Sequence, residues 1–97
     1  MRKRGRLDGN HNEIVQALRN AGCSVISTAS IGNGFPDIVV GFKHKTLGSK
    51  NYLVEIKDGR RKPSERRLTK DEQVFHDSWR GQVFIVESVE EALELIK

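Results

Sequence analysis

Three residues near the middle of the chain are of types that can do chemistry together. Asp37 follows Gly34-Phe35-Pro36 and opens a run, Ile38-Val39-Val40-Gly41-Phe42, that is otherwise apolar or small. Aspartate is depleted from such places by strand propensity. Glu55 and Lys57 interrupt a second apolar run that begins at Asn51. Strand alternation puts Leu53, Glu55 and Lys57 on one face and Tyr52, Val54 and Ile56 on the other. If the two runs pair, the Asp37 and Glu55 carboxylates approach each other. Adjacent carboxylates repel, and both stay ionised only with a cation between them. Hard oxygen donors suit Mg2+ or Mn2+, which keep waters and complete their shells with phosphate oxygens. Lys57 then stands where it can neutralise charge on an attacked phosphate or orient the attacking water. Taken alone, Glu55 and Lys57 read equally as an ion-pair ladder on a solvated strand.

The flanking sequence supplies elements to hold these groups. Apolar residues at helical spacing (Ile14, Val15, Leu18) predict a helix over 10–21, with Asn10 as its cap and Glu13 completing a capping box. A strand is expected over 23–29, followed by turn chemistry in Ile31-Gly32-Asn33-Gly34. The run 37–42 reads as a strand covered on both faces. A polar connection over 43–50 leads to a third strand over 51–57, and 58–68 reads as a basic loop. Thr69 and Glu72 form a second capping box, opening a helix whose buried side is Val74, Phe75 and Trp79 and whose end is Gly81. A fourth strand over 82–86 and a final helix capped by Ser88 complete the order helix-strand-strand-strand-helix-strand-helix. The expected class is α/β, a mixed four-stranded sheet flanked by helices. His11, His44 and His76 have no metal-ligand spacing and read as surface or loop residues.

Length and charge bound the rest. The 97 residues are enough for one domain, 1–97, with a core drawn from 36% apolar residues. No run approaches the roughly 18 apolar residues of a membrane span, and the basic start is followed by no apolar stretch of a leader. A single cysteine, Cys23, excludes an internal disulfide and a multi-cysteine zinc site. The expected location is the cytoplasm, that of the host if a phage encodes the chain. Seventeen Lys+Arg against thirteen Asp+Glu give a net charge of +4. The cations cluster in a basic arm over 1–9, in Lys43 and Lys45, and in the loop 58–68. Each cluster alone reads as a solvated loop, but together they point to a nucleic-acid face made of Arg4, Arg6, Lys43, Lys45, Arg60, Arg61, Lys62, Arg66 and Arg67.

Pro36-Asp37 followed by Glu55-Ile56-Lys57 resembles the signature of the PD-(D/E)XK nucleases, whose core is restriction-endonuclease-like. The resemblance extends to the VRR-NUC branch through the order of Glu13, Gly34-Phe35-Pro36-Asp37, Glu55-Ile56-Lys57, Leu68-Thr69 with Gln73, and the closing strand from Gly81. It covers residues 10–96. It implies a Mg2+- or Mn2+-dependent endonuclease, a homodimer that cuts branched DNA such as Holliday junctions. It further implies that Asp37 and Glu55 bind the metal, with Glu13 and the Ile56 carbonyl completing its shell, and that Lys57 and Gln73 belong to the catalytic site. The alternatives are a non-catalytic nucleic-acid-binding module and a restriction- or repair-type nuclease on the same core. Little sequence remains for base-specific recognition once the core is built.

Overall fold

Alternation of large apolar residues produces one sheet with two unlike faces. The computed structural model describes residues 7–97. Helix α1 (His11–Asn20) leads into β1 (Ser24–Ser27), β2 (Ile38–His44) and β3 (Gly48–Ile56). A 3-10 turn (Pro63–Glu65) precedes α2 (Lys70–Ser78), then come β4 (Val83–Val86) and α3 (Val89–Leu95). The strands lie in the order β1-β2-β3-β4. The first three are antiparallel and β4 runs parallel to β3, so the sheet is mixed, as the sequence predicts. The parallel step from β3 to β4 needs a crossover, and α2 with its preceding loop provides it.

One face carries the core. Val25, Ile38, Val40, Tyr52, Val54, Ile56 and Val86 pack there with Ile14 and Leu18 of α1 and Ala92 of α3. The alternate residues point the other way, and on that side Ile26 is 66% and Ile85 44% exposed. Strand β2 is therefore sealed on one face only, not on both. The region 43–50 is not a polar connection. Strand pairing continues to His44↔Gly48, because the His44 ring nitrogen Nδ1 accepts from the backbone N–H of Thr46 and Leu47 and Gly48 takes φ +81°. A tight hairpin results.

Two further expectations are corrected. Asn10 stands at the N-cap of α1, as expected, but makes no side-chain capping bond. Its amide instead donates to the carbonyls of Lys57 and Glu87, both at 3.1 Å, and so fastens the ends of β3 and β4 to the start of α1. Helix α2 has no buried residue. Val74 and Trp79 are 58% and 45% exposed, because α2 leans on the sheet only through Glu72, Phe75 and His76, its half-buried stripe.

Candidate active site

Asp37 sits at the start of β2, where the two antiparallel strands end together. Its backbone N–H donates to Val54 O at 3.1 Å and its carbonyl accepts from Thr28 N at 2.7 Å. Its carboxylate Oδ2 accepts from Ile56 N at 2.8 Å. Three bonds thus fix its direction. Glu55 lies on the same face of the neighbouring strand and is 2% exposed, and among the described residues no group donates to its Oε1. Burial first, then the nearby Asp37 and Glu72 carboxylates, push its pKa up to about 10, and Lys57 offsets this only in part.

Lys57 stands 3.7 Å from Glu55 Oε2 and donates to Glu72 Oε1 at 2.8 Å. Burial alone would lower its pKa, but the bond to Glu72 and the charges of Glu72, Glu55 and Asp8 hold it above the usual lysine value. It is therefore a firm cation. Glu72 is buried enough to resist ionisation, yet the donors Lys57 and Thr69 N keep it below the usual glutamate range. The same oxygen serves twice, since Oε1 also closes the capping box by accepting from Thr69 N at 2.8 Å.

The turn before Asp37 sets the position of Glu72. Gly34 lies so close to α2 that a Cβ there would meet Asp71 O at 2.3 Å, and its φ is +81°. Only glycine fits both demands. Phe35 adds an edge-on contact with Phe75, ring centres 5.3 Å apart. The Gly-Phe-Pro-Asp segment therefore places Asp37 and Glu72 in one stroke.

The residues expected from sequence separate into two groups. Asp37, Glu55 and Lys57 come together, and Ile56 lies among them with its N–H on Asp37. Glu13 is elsewhere: its side chain is 53% exposed and pairs with Arg60 at 3.4 Å. Gln73 points outward and donates to Asp77 at 2.9 Å, because helical rotation turns Glu72, not Gln73, toward the sheet. Two acids were missed. Glu72 was absorbed by its capping role. Asp8 is half-buried, its pKa raised by burial and by Asp37 and Asp58 against the pull of Lys57 and Arg61; no local pattern in the sequence marks it. His11 is buried, not at the surface, and His76 has a buried Nε2 with no partner among the described residues.

The basic residues do not form one face. Lys43 lies about 20 Å from Asp37 at the usual strand rise, and Lys45 is in the hairpin turn beyond it. Arg60 is clamped by Asp58, Nε to Oδ1 at 2.9 Å, and holds the Asp58 carboxyl down to about 2. Arg66 is clamped by Glu87 at 2.9 Å. Arg61, Lys62 and Arg67 are exposed and, among the described residues, carry no ion pair. Arg4 and Arg6 lie outside the described residues.

The donor set fits a hard divalent cation. Glu55 is a buried carboxylate with an orphan oxygen beside a second carboxylate, and a cation would offset what now holds it protonated. Among the described residues no three His, Cys, Asp or Glu side chains form a ready ligand cluster. Mg2+ does not require one, since one or two carboxylates plus waters and phosphate oxygens suffice. No helix among the described residues is long and apolar enough to cross a membrane. Compared with protein-family models, curated proteins and solved structures, the chain has no match in any of the three.

Proposed function

We propose that this chain is a Mg2+- or Mn2+-dependent endonuclease that hydrolyses phosphodiester bonds in DNA on a restriction-endonuclease-like core. One observation carries the reading: Asp37, Glu55 and Lys57 converge where two paired strands end, with Glu55 buried and, among the described residues, no donor to one of its oxygens. Asp37 and Glu55 would hold the ion, with the Ile56 carbonyl as a further hard donor. When bound, it supplies Lewis-acid polarisation of the phosphoryl oxygen and a more acidic water. Lys57, kept cationic by Glu72, faces the charge that develops on the attacked phosphate. Arg61, Lys62 and Arg67 on the adjoining loop hold the flanking phosphates.

Each chain has one such site. Two symmetric cuts in a four-way junction need two copies related by a two-fold axis, so the reading extends to a homodimer acting on branched DNA. The test uses purified protein with linear duplex, single strand, flap and four-way junction, with Mg2+ or Mn2+ and with chelator. Cleavage that appears only with the metal, and paired nicks in the junction, are expected. Full activity in chelator would remove the metal mechanism, and equal cutting of duplex and junction would remove the junction preference.

A further inference from the structure

Trp79 is the one tryptophan of the chain, and the structure leaves it 45% exposed. It is nevertheless held firmly. Phe75 stacks on one face of the indole, ring centres 4.9 Å apart and planes 18° from parallel. Phe75 is itself held edge-on by Phe35. A Cβ on Gly81 would lie 2.9 Å from the indole nitrogen, so the chain after α2 folds closely against that end of the ring. With Phe75 stacked on one face, close to half of the residue still meets solvent. Core burial does not explain the arrangement, because Trp79 is itself exposed.

Trp79 also closes the helix whose first turn carries Glu72, the partner of Lys57. Glu72, Phe75 and His76 follow one stripe of α2 and Trp79 is its C-cap, so Glu72 and Trp79 are about 10 Å apart along the helix axis. That is roughly three nucleotide steps at 3.4 Å per step along one strand. Cations frame the stripe, with Arg67 and Lys70 exposed at its start and Arg80 exposed directly after Trp79. An aromatic face framed by cations is how proteins hold unpaired bases.

We propose that Trp79 is a stacking platform for an unpaired nucleobase a few nucleotides from the phosphate at the Asp37–Glu55 site. The inference rests on the DNA-hydrolase reading and narrows its substrate to DNA with an unstacked base near the cut, as at a flap or branch. The lone tryptophan reports on itself. In chelator, single-stranded oligothymidylate should quench its emission in step with binding, followed independently by anisotropy of a labelled strand. An abasic strand of equal length should bind through its phosphates with little quenching. Trp79→Ala should weaken oligothymidylate binding by roughly tenfold, the loss of one stacked base, and leave abasic-strand binding unchanged. Trp79→Phe should recover most of the loss, and circular dichroism should show both variants folded. Strand binding with unchanged emission, or equal affinity of Trp79→Ala and the wild type, would overturn the proposal. So would loss of self-association in Trp79→Ala by light scattering with strand affinity intact, which would assign the face to a second copy. Cleavage with Mn2+ but no quenching overturns this inference alone, whereas no DNA binding at all overturns it together with the hydrolase reading.

Discussion

The two faces of the sheet are built from alternate residues of the same strands, yet they do opposite work. Ile38, Val40, Val54 and Ile56 point to one side and are almost wholly buried under α1 and α3. Asp37, Glu55 and Lys57 are their immediate neighbours in sequence and point to the other side, under the edge of α2. A strand turns the chain over at each residue, so a dry core and a charged site lie one residue apart. The difference shows how a small domain can tolerate a buried carboxylate. The apolar face supplies the stability, and the site face spends some of it on Glu55, one of whose oxygens meets no donor among the described residues.

Substitutions on the two faces should therefore fail in different ways. Asp37→Asn or Glu55→Gln should lower cleavage by more than about 10²-fold, the scale of losing one preorganised charged group, with circular dichroism unchanged. Ile38→Ala should do the reverse. It should cost about 2–5 kcal/mol in denaturant unfolding by opening a core cavity, while the folded fraction still cuts. A site variant that unfolds the protein, or a core variant that stays stable, would break the division between the faces.

The pH dependence sharpens it. Unfolded, Glu55 ionises near 4.5, whereas folded it holds its proton to about 10. Between those values the folded state binds the extra proton, so stability falls as pH rises through that window. In chelator, the wild-type melting temperature should decline from about pH 5 to about pH 9 more steeply than that of Glu55→Gln. The variant should be the more stable of the two at the alkaline end. Mn2+ should raise the wild-type melting temperature and release protons, and should not do so for Glu55→Gln. Parallel curves for the two proteins would show that Glu55 is not held protonated.

Smaller effects belong to the residues that support the site. Thr69→Ala removes the cap of α2 and should cost about 1 kcal/mol. Because the lost hydroxyl accepts from Glu72 N in the turn that aims Glu72 at Lys57, the substitution should also slow cleavage, and by less than Glu72→Gln does. A rate equal to wild type would uncouple the cap from the site. Smallest is the change in salt dependence. Replacing Arg61, Lys62 and Arg67 by Gln should flatten the salt dependence of DNA binding by about one unit of log-log slope each. Lys43→Gln and Lys45→Gln, at the far end of the hairpin, should leave that slope as it is.

The strand-borne part of the site was legible because it depends on local periods alone. Glu55 and Lys57 are two residues apart at the end of β3, and strand alternation puts them on one face. Asp37 stood out as an acid between a turn and an apolar run. The same locality made the Thr69–Glu72 box readable, and the helix-strand order with it. Helical and loop residues were not legible in this way. Which residue of α2 reaches Lys57 depends on the rotation of the helix, set by the Gly34–Asp71 approach and the Phe35–Phe75 contact. Those contacts join segments nearly forty positions apart, so Gln73 and Glu72 could not be told apart by spacing. Glu13 and Asn10 made a plausible local cap, but the Asn10 amide nitrogen is held by the carbonyls of Lys57 and Glu87, which turns its capping oxygen away from the helix N–H groups. The basic loop read as one charge cluster. Tertiary structure divided it, because the acids that clamp Arg60 and Arg66 include Glu13 and Glu87 from other parts of the chain. By itself, the sequence determined what recurs along a single strand or a single helix turn. Which side chains share a site was decided by packing between distant elements, where a rotation of one residue exchanges one neighbour for the next.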